Sequence, residues 1–91
     1  MKFDWDENKR SLNLAKHGLD FADAWQVLAD PHVVSLIDER RDYGEERLVS
    51  IGMVFGIICL SLCHTDGVGA VRVISLRHAS RKERRLYHGH S

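Results

Sequence analysis

Cysteine is scarce in this chain, with only Cys59 and Cys63 among its 91 residues. Four positions apart in one extended segment, they stand about 13 Å apart at ~3.3 Å per residue, beyond disulfide reach. A disulfide-stapled scaffold is thereby excluded, and free thiols suit a reducing compartment. No C-x-x-C pair exists, and His64 alternates to the opposite side of the strand from Cys63, so no metal site and no other cofactor is expected. Long apolar runs are also missing. The longest, Met53 to Cys63, is broken by Gly56 and falls well short of the roughly 20 residues that span a bilayer. Charged residues follow Lys2 where a signal peptide would be apolar, so the expected location is cytoplasmic, with no membrane partner. Glycine-rich phosphate loops, nucleophile elbows, internal repeats and low-complexity linkers are absent as well.

Net charge is the last absence: thirteen Lys/Arg balance thirteen Asp/Glu. That argues against a surface that coats nucleic acid generally, for which a pI above about 9 is expected. The balance hides an asymmetry. Residues 1–45 carry six Lys/Arg against ten Asp/Glu, a net −4, and residues 46–91 carry seven against three, a net +4. Such halves focus an anion at one face or are simply two solvated surfaces. The length and the 44% hydrophobic and 29% charged fractions describe one globular domain over residues 1–91.

The pattern of residues predicts an α+β domain. Lys2 to Trp5 alternates as a short strand with Phe3 and Trp5 on one face. Asp6 sits where a helix N-cap belongs, and Gly18 where a left-handed glycine ends a helix after His17. A second helix is expected from Phe21 to Ala29, with Phe21, Ala24, Trp25 and Leu28 on its buried face, stopped by Asp30-Pro31. Strands are expected at His32–Asp38, Glu46–Met53, Ile57–His64 and Ala70–Leu76. The near-continuous apolarity of the third marks a strand covered on both sides. A charged turn at Arg40–Glu45 with Tyr43-Gly44, a tight connection at Val54-Phe55-Gly56 and a loop at Asp66–Gly69 join them. Ser80-Arg81-Lys82-Glu83 has capping-box spacing and starts a terminal helix, with His88-Gly89-His90 as a frayed end. The expected architecture is a short N-terminal strand and two helices, a four-stranded antiparallel sheet, and a C-terminal helix.

The chemistry concentrates in the last quarter. Arg72, Arg77, Arg81, Lys82, Arg84 and Arg85 stand against one acid, Glu83. A guanidinium at a strand end, flanked by the imidazole of His78 and the phenol of Tyr87, has the groups to bind a phosphodiester and move protons around it. Arg72 and Arg77, five apart, point to opposite faces of a regular strand, so both reach one cleft only through a bulge or a strand that ends early. Arg77 is the better phosphate ligand. Arg72, sharing its face with Ile74 and Leu76, is equally an ion-pairing residue, and Arg47 reads as a surface arginine. Lys16-His17 offers either a phosphate contact and an acid/base or a cationic pair complementing the helix dipole.

Three segments carry a family resemblance: FDWDENKRSLNLAKHGLDFADA at the start, YGEERLVSIGMVFG in the middle and VRVISLRHASRKERRLY at the end. Together they resemble the BrnT-type toxins, small RelE-like members of bacterial type II toxin–antitoxin pairs. The resemblance implies a RelE-like fold and a metal-independent ribonuclease that inhibits growth. It implies a cognate BrnA-like antitoxin with a ribbon-helix-helix domain, through which alone operator DNA is contacted. By motif position it places catalytic roles on His17, Arg47, Arg77 and Tyr87, and RNA binding on Lys16, Arg72, Arg81 and Arg84. Antitoxin docking is expected along Ser80 to Tyr87 and the strand edge near Arg77. Gly67 departs from the pattern, standing where many members carry a cation. That departure and the zero net charge favour an alternative, a weakly active or inactive module that docks antitoxin or nucleic acid; the His17/Arg77/Tyr87 set opposes it.

Overall fold

The computed structural model describes residues 1–40, 42 and 44–89; the expected roles of Tyr43 in a turn and His90 in a frayed end lie outside them. The elements follow in the order β1 (Lys2–Asp4), α1 (Glu7–His17), a 3₁₀ turn (Phe21–Asp23), α2 (Trp25–Ala29), β2 (Val34–Ile37), β3 (Leu48–Val54), β4 (Ile58–Gly67), β5 (Ala70–His78) and α3 (Arg81–Gly89). Local chemistry sets most helix ends. The Asp6 carboxylate accepts from the amides of Asn8 and Lys9, and Gly18 closes α1 at φ 69°. Both halves of the capping box form, Glu83 N donating to Ser80 Oγ at 3.2 Å and Ser80 N to Glu83 Oε1 at 2.9 Å.

The sheet corrects the expected architecture. It has five strands in the order β1-β5-β4-β3-β2, not four. β2 to β5 form the antiparallel meander, and β1 joins it in parallel, Phe3 opposite Val71. A parallel neighbour needs a long crossover, here the whole chain between β1 and β5, and strand periodicity carries no record of such a partner. β4 is the middle strand and is buried on both sides, as its apolarity predicts; it runs on to Gly67, and β5 to His78.

The second helix is also corrected. The Asp20 side chain accepts from Ala22 N and starts a 3₁₀ turn, and Ala24 links that turn to the short α2. Three residues per turn bury Phe21, Ala24 and Val27 at a spacing of three. Trp25, expected inside, is 51% exposed. Packing α2 on β3 requires Gly52, whose Cβ would lie 2.7 Å from the Val27 carbonyl oxygen.

One face of the sheet, under α1 and α2, carries the main core of Phe21, Val27, Leu60, Leu62, Val73 and Leu76. The other carries α3 on a smaller core of Ile51, Ala79 and Tyr87. Beyond Arg72, among the described residues, β5 has no strand on its outer side. Asn13 of α1 fills that role, donating to Leu76 O at 2.8 Å and accepting from Leu76 N at 3.1 Å. The edge near Arg77, expected to receive an antitoxin, is thus partly sealed by the protein itself.

Candidate active site

A β-bulge decides which side chains meet. Cys63 pairs with Ser75 but His64 pairs with Val73, so Ile74 is an extra residue in β5. The bulge moves Arg72 off the face of Leu76 and onto that of Ser75 and Arg77, meeting the condition under which both arginines share a face. Register then lays three rows across the α3 face. The middle row is Ser75, Cys63, Val49 and Leu36. On one side lie Arg77, Ser61, Ile51 and Val34. On the other lie Arg72, Thr65, Arg47 and Asp38, the last joined to its neighbour by the Asp38 amide donating to Arg47 O at 2.8 Å.

α3 covers the Ile51 end of this floor and leaves the middle row less covered. The resulting cleft of about 370 Å³ is lined by Leu36, Ile37, Asp38, Arg40, Val49, Arg77, Ser80, Lys82, Glu83 and neighbours. Cys63 lies midway between the outer rows. Burial is the main cause that raises its thiol pKa, with Asp38 adding, while Arg47, Arg40 and Arg77 pull it down. Arg40 is held by both oxygens of the buried Asp38 carboxylate, at 2.9 Å each. Arg47 Nε meets Glu45 at 3.4 Å.

Arg77 is held at three points. Its Nη1 and Nη2 donate to the two Glu83 oxygens at 2.7 and 2.9 Å, and Nη1 also reaches His78 O at 3.3 Å. Glu83 is fixed in turn by Ser80 N and by Ser61 Oγ, which donates at 3.1 Å. Burial pushes the Glu83 carboxyl upward, but Arg77, the Ser80 amide and Ser61 outweigh it and hold it at about 2. The carboxylate occupies the end of the guanidinium fork. Among the described residues no hydrogen bond takes the side edge, Nε–H and one Nη2–H, a geometry suited to two-point anion contact.

The other expected site residues are spread around this centre. His17 and exposed Lys16 close α1 beside Ile74 and Ser75 in a 210 Å³ hollow at the edge of β5. Among the described residues, that hollow shares no lining residue with the Arg77 cleft. Arg72 lies at the far end, ion-paired to Asp4 at 3.1 Å among Glu45, Glu46 and Asp66. Gly67 lies there too, so the cation it replaces would join that end and not the Arg77 cleft. Arg81 is exposed at the start of α3. Arg84 donates to Ala79 O and acts on the Cys59 thiol. Tyr87 is 5% exposed within the small core, and its hydroxyl donates to Asp30 Oδ2 at 2.6 Å. Burial, then Asp30, pushes the phenol up to about 12. Spacing alone missed Arg40 as a cleft residue and Ser61 as the support of Glu83; Lys82 was counted within the basic cluster, and the capping box named Glu83 only as a helix starter.

The family model for the ribonuclease toxin BrnT of type II toxin–antitoxin systems matches residues 5–83. The chain belongs to the BrnT family. Among solved structures, it is similar to the BrnT ribonuclease toxin of Brucella abortus, known from a 1.1 Å crystal structure. Identity is 38% over 89% of this chain and 99% of that one, with a TM-score of 0.65. Comparison with curated proteins returns no significant match. Membership makes the chain one of the ribonuclease toxins and implies an antitoxin partner. Among the described residues no helix is long and apolar enough to cross a membrane.

Proposed function

We propose that the α3-face cleft holds an RNA phosphodiester and cleaves it without a metal, inhibiting translation and growth until a cognate antitoxin covers the cleft. The observation that carries this reading is Arg77, locked by Glu83 and sharing one cleft with Arg40 and Lys82. Cleavage by the 2′-hydroxyl needs a proton removed from that hydroxyl, charge neutralised on the crowded phosphorane, and a proton given to the leaving 5′-oxygen. Arg77 and Arg47 supply fixed charge in place at the start, so little reorganisation is needed as the negative charge builds. His17, at the rim beside Ser75, carries the proton. Lys82 and Lys16 hold flanking phosphates, with Arg72, Arg81 and Arg84 farther along the strand path. Glu83 positions Arg77, and Tyr87 acts through α3, anchoring it to Asp30. The antitoxin, BrnA-like with a ribbon-helix-helix domain, brings the pair to operator DNA.

The test is cleavage of a defined RNA by the purified protein in EDTA. Products ending in 2′,3′-cyclic phosphate and 5′-hydroxyl are expected at an undiminished rate. Activity lost in chelator and restored by one divalent ion overturns the mechanism. No cleavage by folded protein under any of these conditions leaves the docking module as the function.

A further inference from the structure

The two edges of the sheet are treated differently. On one side β1 is three residues long and Asn13 seals the β5 backbone beyond it. On the other, among the described residues, β2 pairs only with β3 and ends the sheet. The bond from Asp38 N to Arg47 O fixes the phase of that pairing: Val34 and Leu36 spend their backbone groups on β3. Ser35 and Ile37 therefore aim N–H and C=O outward. No proline, lysine or bulge blunts this edge, and Leu36 and Ile37 are 42% and 55% exposed. An open apolar edge of this kind is normally covered, because it templates another strand.

We propose that β2 receives an extended segment of the antitoxin as a sixth strand. This rests on the toxin–antitoxin reading above. The occupant follows from continuity and charge. Leu36 and Ile37 line the same cleft as Arg77 and Lys82, so a strand added here lies across the cleft mouth. Its backbone pairs with Ser35 and Ile37, its apolar side chains pack on Leu36, and its acidic side chains face Lys82 across the cleft. Docking and inhibition thus become one event: the segment that completes the sheet denies RNA the phosphate grip.

The test uses the full-length toxin and its purified antitoxin. Ile37→Pro removes one outward N–H and leaves the β3 ladder intact, since that donor does not face β3. Affinity for the antitoxin should fall about tenfold or more, with the far-ultraviolet circular dichroism of the free protein unchanged. Hydrogen exchange on the wild-type complex needs no variant and should show new protection at Ser35 and Ile37. Unaltered exchange there overturns the proposal, as does a folded Ile37→Pro protein with wild-type affinity. If the edge instead mediates a concentration-dependent dimer that Ile37→Pro abolishes, with antitoxin affinity untouched, the occupant is a second copy and the proposal fails. Absence of cleavage by the wild type would refute the ribonuclease reading alone, because the binding and exchange measurements do not depend on it.

Discussion

Under α1 and α2 the sheet buries Phe21, Leu60, Leu62, Val73 and Leu76 at 1% exposure or less. Under α3 it buries little beyond Ile51, Ala79 and Tyr87, and Asp38, Arg40, Arg77, Lys82 and Glu83 line a cleft. Polar groups on the first face are spent internally. Ser35 Oγ, Ser50 Oγ and His64 Nε2 follow one another at 2.7 Å steps, and His64 Nδ1 meets Asp66 at 2.7 Å. This run has the residue types of a hydrolytic triad, but Ser50 is 0% exposed, so it is a satisfied buried network with no access for substrate. Polar groups on the second face keep donors free, as the side edge of Arg77 shows. One sheet therefore separates the work: dense packing supplies stability on one side, and that stability holds charges in place on the other.

The largest test of this division is Phe21→Ala. Removing a fully buried aromatic from the main core should cost about 3–5 kcal/mol in urea unfolding, against about 0.5 kcal/mol for Leu36→Ala on the exposed edge. Comparable losses would mean that the α3 face contributes as much to stability as the core.

Arg77→Ala probes the other side. Loss of one preorganised donor should slow RNA cleavage by about 10²–10³-fold and relieve growth arrest, with the far-ultraviolet circular dichroism unchanged. Glu83→Gln should slow cleavage by less, since the guanidinium remains and loses only its anchor. Equal rates for wild type and a folded Arg77→Ala protein would remove the cleft from the mechanism.

The smallest effect is a pH dependence. Glu83 is held at about 2 in the fold, below the ordinary 4.5. A depressed carboxyl contributes stability that is present above about pH 4.5 and lost as pH falls through about 2. The stability gap between wild type and Glu83→Gln should shrink across that window. A constant gap would show that the Arg77–Glu83 pair gives the α3 face position without stability.

Parts of the site were legible in the sequence because their signals are short-range. Arg77 stood out as a cation at the end of a strand followed by a basic helix, and Arg47 and His17 came through resemblance. Glu83 was visible as the fourth residue of a capping box, yet nothing local says that its second oxygen reaches Arg77 or that Ser61, twenty-two positions earlier, fixes it. Arg40 looked like turn charge until β2 carried Asp38 to the cleft. Tyr87 looked like a site phenol, and its burial against Ile51 depends on how α3 crosses the sheet.

By itself the sequence determined what neighbours within a few residues decide: Asp6 and Gly18 bounding α1, the Ser80–Glu83 box opening α3, the alternation of the meander strands, and the tight turn where Phe55 and Gly56 take φ 57° and 68°. Caps, turns and alternation are fixed by local hydrogen bonds and side-chain period. Tertiary structure decided the rest: β1 lying parallel to β5, Asn13 sealing the Leu76 backbone from sixty-three positions away, Ile74 bulging so that Arg72 changes face, and Arg40 sharing a cleft with Arg77. Each of these depends on which strand lies beside which, a choice made by burial summed over the whole chain and recorded in no single stretch of it.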